Sequence, residues 1–265
     1  MLKPLLIFLL LAYLGVAALA YFFADRLIFL PPRSSYAPGE LPIVQLPTES
    51  GASIAALHLP SDSATFTLLY SHGNAEDLGH IAEILTLLRD RVGVSAVGYD
   101  YRGYGLSTGG PPTADGATRD AGTVFRYLTR ELGIPPDRLI VHGRSVGTGP
   151  ALGLAAREPV GGVIIESGFT SAVRVMTHVP LLPFDRFPNL RNVRKVRAPV
   201  LVIHGERDEV ISVAHGRQLY AEATPPKHYL WVSGAGHNDL VAVAGEEYWR
   251  SLREFVQLLE AERTD

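Results

Sequence analysis

The 265-residue chain has no cysteine. Disulfides, thiolate metal centres, iron–sulfur clusters, a cysteine nucleophile and lipid attachment through cysteine are therefore excluded. Charge of one sign is also scarce, with 24 Lys and Arg against 27 Asp and Glu, a net charge of -3. Because nucleic-acid affinity comes chiefly from phosphate neutralisation, this balance argues against a nucleic acid as partner. Internal repeats and low-complexity tracts are missing, and at 47% hydrophobic residues the chain is long enough to fill a full core. Neither disorder nor a repeat architecture is expected.

One long apolar run is present. From Leu5 to Ala24, 20 residues pass without a charge, flanked by Lys3 and by Asp25-Arg26. This predicts a membrane-crossing anchor over residues 1–26, with the bilayer as a partner. The small-x-small triplet Ala18-Leu19-Ala20 is also a form that signal peptidase accepts, so cleavage and secretion are the alternative. The run exceeds a usual signal h-region and continues into Tyr21-Phe22-Phe23, residues suited to a membrane interface, which favours the uncleaved anchor. The flanking charges do not decide which side the rest of the chain faces. Residues 27–40, with Pro31-Pro32, read as a linker to a domain of residues 41–265.

Beyond the linker, short runs rich in Val, Ile and Tyr alternate with helical patterns, as in βαβ units feeding a mostly parallel sheet. Eight strands are expected, at residues 43–46, 53–59, 67–71, 94–99, 139–142, 162–166, 200–204 and 228–232, with helices at 80–91, 115–132, 146–157, 213–223 and 239–260. Three strands end in His-Gly, at His72, His142 and His204. Ligands bind at strand C-termini in such sheets, so the chemistry belongs at that edge. A metal is not expected, since no His-x-His or His-Glu-x-x-His spacing occurs; the three histidines read as packed and hydrogen-bonded under the loops. No cofactor is implied.

Gly143-Arg144-Ser145-Val146-Gly147 has the form G-x-S-x-G. An apolar strand runs in and a helical pattern runs out, which makes it a strand-turn-helix elbow that exposes a serine hydroxyl. Glycines two residues to either side remove side chains that would collide where strand and helix converge. Gly105-Leu106-Ser107-Thr108-Gly109 matches the same letters, but Gly110-Pro111-Pro112 follows and no helix can start there; Ser107 reads as a loop residue. A serine hydroxyl needs a base, and the base needs a carboxylate partner. In elbow-bearing sheets the order along the chain is Ser, acid, His. Of the histidines after Ser145, His237 alone sits in a Gly-rich loop between the last strand and the last helix, and it is the expected base. Asp208 is the favoured acid, with Glu166, Glu206 and Glu209 as rivals. Asp239 reads as the cap of the final helix. The backbone N–H groups of Val146 and Asn74 are the expected oxyanion donors, which leaves the Asn74 side chain with little role.

Taken together, Ser71-His72-Gly73-Asn74-Ala75, Tyr99-Asp100-Tyr101-Arg102-Gly103-Tyr104-Gly105, the Ser145 elbow, Asp208-Glu209-Val210-Ile211 and Gly234-Ala235-Gly236-His237-Asn238-Asp239 resemble the α/β-hydrolase superfamily. They are similar to membrane-associated serine hydrolases that include eukaryotic protein depalmitoylases and single-anchor bacterial relatives. The resemblance covers about residues 53–256 and implies an α/β-hydrolase fold, a Ser145–Asp208–His237 triad and donors at Asn74 and Val146. One feature departs from that family. The depalmitoylases carry a lipidated N-terminal cysteine cluster, and this chain has an apolar run instead.

Residues 168–198 leave the sheet pattern and read as a small lid over an apolar acyl pocket, with Phe169, Met176, Val179 and Leu182 as lining residues. Arg186, Arg191, Arg194, Lys195 and Arg197 form a basic run that suits either anionic headgroups or a solvated helix face. The function expected is hydrolysis of an oxyester or thioester with an apolar acyl group, on a small-molecule, lipid-like or acylated-protein substrate. The alternatives are a serine peptidase and a catalytically silent binding protein.

Overall fold

The computed structural model describes residues 2–177 and 184–263. Eight strands form one sheet in the order β1-β2-β4-β3-β5-β6-β7-β8: β1 Ile43–Pro47, β2 Ser53–Leu59, β3 Thr67–Ser71, β4 Ser95–Tyr99, β5 Leu139–Arg144, β6 Gly162–Glu166, β7 Val200–Gly205 and β8 Lys227–Val232. β2 pairs antiparallel with β1 and β4, and every other neighbour is parallel. The order reverses at β3, which lies between β4 and β5. Such a switch leaves a crevice at the strand C-termini.

Side chains alternate across a strand, so a sheet covered on both faces needs apolar residues at nearly every position. Leu139, Val141, Val163, Ile165, Val200 and Val202 belong to one core; Ile140, Ile164, Leu201 and Ile203 belong to the other. α1 is Leu2–Ile28, and the helices that flank the sheet are α2 Leu78–Leu87, α3 Ala114–Arg126, α4 Thr148–Ala155, α5 Ala172–Thr177, α6 Asn189–Val193, α7 Val213–Glu222, α8 Leu240–Ala244 and α9 Glu246–Ala261. Asp77, Thr113 and Ser212 start α2, α3 and α7 by accepting the N–H of His80, Gly116 and Ala214. These contacts satisfy N–H groups that the first helical turn leaves open.

Three expectations need correction. The helix expected over residues 239–260 is two helices, because Gly245 adopts φ +53 between α8 and α9. Asp239 makes no side-chain cap; its carboxylate accepts the Gly236 N–H at 2.7 Å instead. The helix expected over 146–157 begins later, since β5 runs on to Arg144 and a tight 3₁₀ turn, Ser145–Gly147, precedes α4.

The helix over the apolar run continues to Ile28, and the residues that follow it are packed against the domain. Among the described residues, one helix is long and apolar enough to cross a membrane, Lys3–Ile28 within α1. Most of it is exposed, yet its end is docked: Asp25 accepts the Ala114 N–H at 3.0 Å and Phe29 is buried in the core. The segment expected as a linker is tied down further along, with Tyr36 donating its hydroxyl to Asp100 and Ser35 donating to Asp77. Phe29 lies against Tyr101, Tyr104 and Phe187, so apolar burial ties the segment down.

Candidate active site

β5 delivers Ser145 to the C-terminal edge of the sheet with φ +52. A non-glycine residue at positive φ is strained and persists only where its surroundings hold it. Those surroundings are backbone. A Cβ on Gly147 would lie 2.0 Å from the Ser71 carbonyl oxygen, and a Cβ on Gly143 would lie 2.5 Å from the Gly147 carbonyl oxygen. Only glycine lets β5, β3 and the elbow approach this closely.

Two loops bring the other groups to Ser145. His237, in the loop after β8, has Nε2 3.0 Å from Ser145 Oγ and Nδ1 2.7 Å from Asp208 Oδ2. All three side chains are buried. Asp208 closes a turn after β7, where its other oxygen accepts the N–H groups of Val210 at 3.0 Å and Ile211 at 2.7 Å. His204 Nε2 lies 3.3 Å from the same carboxylate. Burial works to raise the Asp208 pKa, but the hydrogen bonds with His204, His237 and the Ile211 amide prevail and hold it well below the usual carboxylate range. Asp208 is thus held as an anion beside the imidazole. Two of the three rivals are engaged elsewhere: Glu166 accepts from Tyr248 and contacts His142 and Arg144, and Glu206 pairs with Arg217.

The loop after β3 faces the elbow. Asn74 and Val146, the two residues expected to supply amide donors, border one pocket with Ser145. Glu76 holds this loop, accepting the Gly73 N–H at 2.7 Å while its other oxygen accepts from Arg144 at 2.5 Å. Arg144 also donates to Asn238 Oδ1 at 3.2 Å, beside His237. The unspecified position of G-x-S-x-G therefore braces the elbow against both neighbouring loops. The Asn74 side chain has more to do than expected: Nδ2 donates to the Ile28 carbonyl at 2.8 Å, and Oδ1 accepts from Leu30 N–H at 2.9 Å and the Tyr104 hydroxyl at 2.8 Å.

The pocket beside Ser145 has a volume of about 260 Å³, below the usual range for ligand sites, and Phe169, Ala172, Val175 and Ile211 line it. Larger hollows of about 890 and 440 Å³ lie away from the serine. Of the residues expected to line the pocket, Phe169 does; the Met176 backbone lies in α5, next to Val175, and Val179 and Leu182 lie outside the described residues.

Comparison with known proteins adds the family. Over 212 residues the chain is 41% identical to human alpha/beta hydrolase domain-containing protein 17B, covering 79% of this chain and 73% of that protein. The chain belongs to the alpha/beta hydrolase domain-containing protein 17 family. A second relative, protein 17C of Xenopus laevis, is 36% identical over 212 residues, 79% of this chain and 67% of its own. The fold is that of the α/β hydrolases. A Pyrococcus furiosus esterase superposes with a TM-score of 0.71 at 20% identity, over 86% of this chain and 98% of its own. A Rhodococcus esterase does so with a TM-score of 0.64 at 17% identity, over 82% and 99%. No family model matches the chain.

In this hydrolase the second serine motif is structural, since Ser107 accepts the Ala55 N–H at 2.9 Å and donates to the Asp100 carbonyl at 2.8 Å. The strand-end histidines are buried, and each has a ring nitrogen near a protein oxygen: His72 with the Gly73 carbonyl, His142 with Glu166 and His204 with the Ile211 carbonyl. Among the described residues no group of three His, Asp or Glu could hold a metal. The basic run is divided by the fold. Arg186 donates to the Tyr21 carbonyl of α1 at 2.9 Å, whereas Arg194, Lys195 and Arg197 border the 890 Å³ hollow with Val160, at the opposite edge of the sheet from Ser145. Sequence reasoning missed Leu27, Ile28, Val210 and the Arg144–Glu76 brace. The apolar run resuming after Asp25-Arg26, and the Val210-Ile211 pair inside a polar loop, were the available signals.

Proposed function

We propose that this protein is a membrane-tethered serine hydrolase that cleaves carboxylic oxyesters or thioesters carrying an apolar acyl group. The observation that carries the reading is the continuous hydrogen-bonded line from Ser145 Oγ through His237 to Asp208, at 3.0 and 2.7 Å, opening on a mostly apolar pocket. Ser145 Oγ attacks the acyl carbonyl carbon as His237 Nε2 takes its proton, and Asp208 holds the ring in register and stabilises the imidazolium. The amides of Val146 and Asn74 stabilise the tetrahedral oxyanion; losing one such donor costs about 3 kcal/mol of transition-state stabilisation. The bond to the leaving oxygen or sulfur then breaks, and His237 returns its proton to the departing alcohol or thiol. Water, deprotonated by the same imidazole, attacks the acyl-serine, releasing a carboxylic acid and restoring the hydroxyl.

The tether is α1, whose exposed apolar surface from Leu5 to Leu19 suits lipid. Family membership and the resemblance to depalmitoylases make an acylated protein one candidate substrate, beside lipid-like esters. An active-site-directed fluorophosphonate tests the reading. Labelling of the wild type but not of Ser145→Ala, with turnover of p-nitrophenyl esters, is expected. A folded wild type that neither labels nor turns over esters and thioesters defeats it in favour of a silent binding protein, and cleavage of peptides in preference to esters defeats it in favour of a peptidase.

A further inference from the structure

The final turn of α1 reaches the pocket beside Ser145, and Leu27 and Ile28 are part of its wall. A helix leaves its last carbonyls without intrahelical partners. Here the Ile28 carbonyl is satisfied by Asn74 Nδ2 at 2.8 Å, and the Leu30 N–H donates to Asn74 Oδ1 at 2.9 Å. The clamp thus comes from the residue whose own N–H is proposed above as an oxyanion donor. Two further contacts fix the turn. Phe29 is 3% exposed among Tyr101, Tyr104 and Phe187, and Asp25 accepts the Ala114 N–H at 3.0 Å while lying 3.5 Å from Arg186. The wall these contacts hold is apolar and open to its surroundings, since Leu27 is 59% exposed and Val210, also on the pocket, 52%.

We infer that Leu27 and Ile28 are specificity-determining residues for the acyl group, so that the end of the membrane helix is itself one side of the acyl-binding site. The inference rests on the serine-hydrolase reading above. An aliphatic chain bonded to the reacting carbonyl would run against these two side chains, and the depth they leave open sets the longest chain that fits. Each methylene that finds no apolar contact costs about fourfold in kcat/KM. Asn74 acts as a positioning residue, holding α1 and the oxyanion loop in one arrangement.

The test uses the full chain in detergent micelles, with p-nitrophenyl esters from acetate to decanoate. Leu27→Trp narrows the pocket and is expected to shift the preferred chain to a shorter one, with kcat/KM for the longest ester down at least about tenfold and acetate within about twofold. Leu27→Ala is expected to shift the preference the other way. Because Leu27 is largely exposed, neither change removes core packing. Leu10→Trp, on the exposed part of α1, leaves the profile unchanged. An unaltered chain-length profile in both Leu27 variants, with fluorophosphonate labelling intact, overturns the inference and leaves the serine chemistry standing. Failure of the wild type to label overturns the underlying reading instead.

Discussion

Replacing Gly147 by alanine adds one methyl group at the point where the elbow meets β3. Gly147 has φ -61, a value any residue adopts, so the conformation itself costs nothing. Space decides the outcome. The new Cβ would stand 2.0 Å from the Ser71 carbonyl oxygen, 2.6 Å from the Ser71 carbonyl carbon and 2.7 Å from the His72 oxygen, all backbone atoms within a central strand and its loop. Ordinary contact needs about 3.5 Å, so strand and elbow must part by about 1 Å or more. Overpacking of this kind costs about 1–3 kcal/mol, and here it lies toward the upper end because no rotamer change relieves it. The same displacement moves the Asn74 loop away from Ser145. A misplacement of about 1 Å costs about a hundredfold in rate. Thermal unfolding and ester turnover of Gly147→Ala read both effects, with Gly122→Ala as control. Its Cβ would meet only an arginine nitrogen at 3.6 Å inside α3, and a stability gain of about 0.5–1 kcal/mol is expected. If Gly147→Ala keeps wild-type stability and turns esters over within twofold of wild type, the elbow does not depend on this close approach and the reasoning fails.

Asp208→Asn keeps the shape but removes the charge proposed to fix the His237 tautomer, and kcat is expected to fall by about 10⁴ in ester assays; a loss under tenfold would move the acid role elsewhere. The folded Asp208 pKa is depressed below its unfolded value of about 3.9, so its contribution to stability is complete above about pH 4 and is lost as the pH falls through the folded value. Urea unfolding across acid pH should accordingly show a steeper decline for wild type than for Asp208→Asn, and parallel curves would contradict the sign. Phe29→Ala removes a buried ring from the segment that reads as a linker and is expected to cost about 3–5 kcal/mol by thermal or denaturant unfolding. A change under 1 kcal/mol would mean that the segment is not part of the core.

The sheet was legible because its signal is local. Strands buried on both faces must be apolar at successive positions, so Leu139-Ile140-Val141 and Val200-Leu201-Val202-Ile203 stand out between their helices without any alternation of polar and apolar residues. The elbow was legible for a related reason, since a collision between backbones can be avoided only by glycine, and glycine is visible in a sequence. Chain order and loop composition singled out His237, but they favoured Asp208 without separating it from Glu166, Glu206 and Glu209. What the letters could not supply was distance. Glu166 and Asp208 both follow strands, and only the packed structure commits Glu166 to His142, Arg144 and Tyr248 while turning Asp208 to His237. Likewise Leu27 and Ile28 lie more than a hundred residues from Ser145, and their approach to it depends on Asn74 and Phe29 finding partners across the fold. Local periodicity and steric necessity are written residue by residue, whereas the convergence of distant loops is a property of the closed core that no single segment encodes.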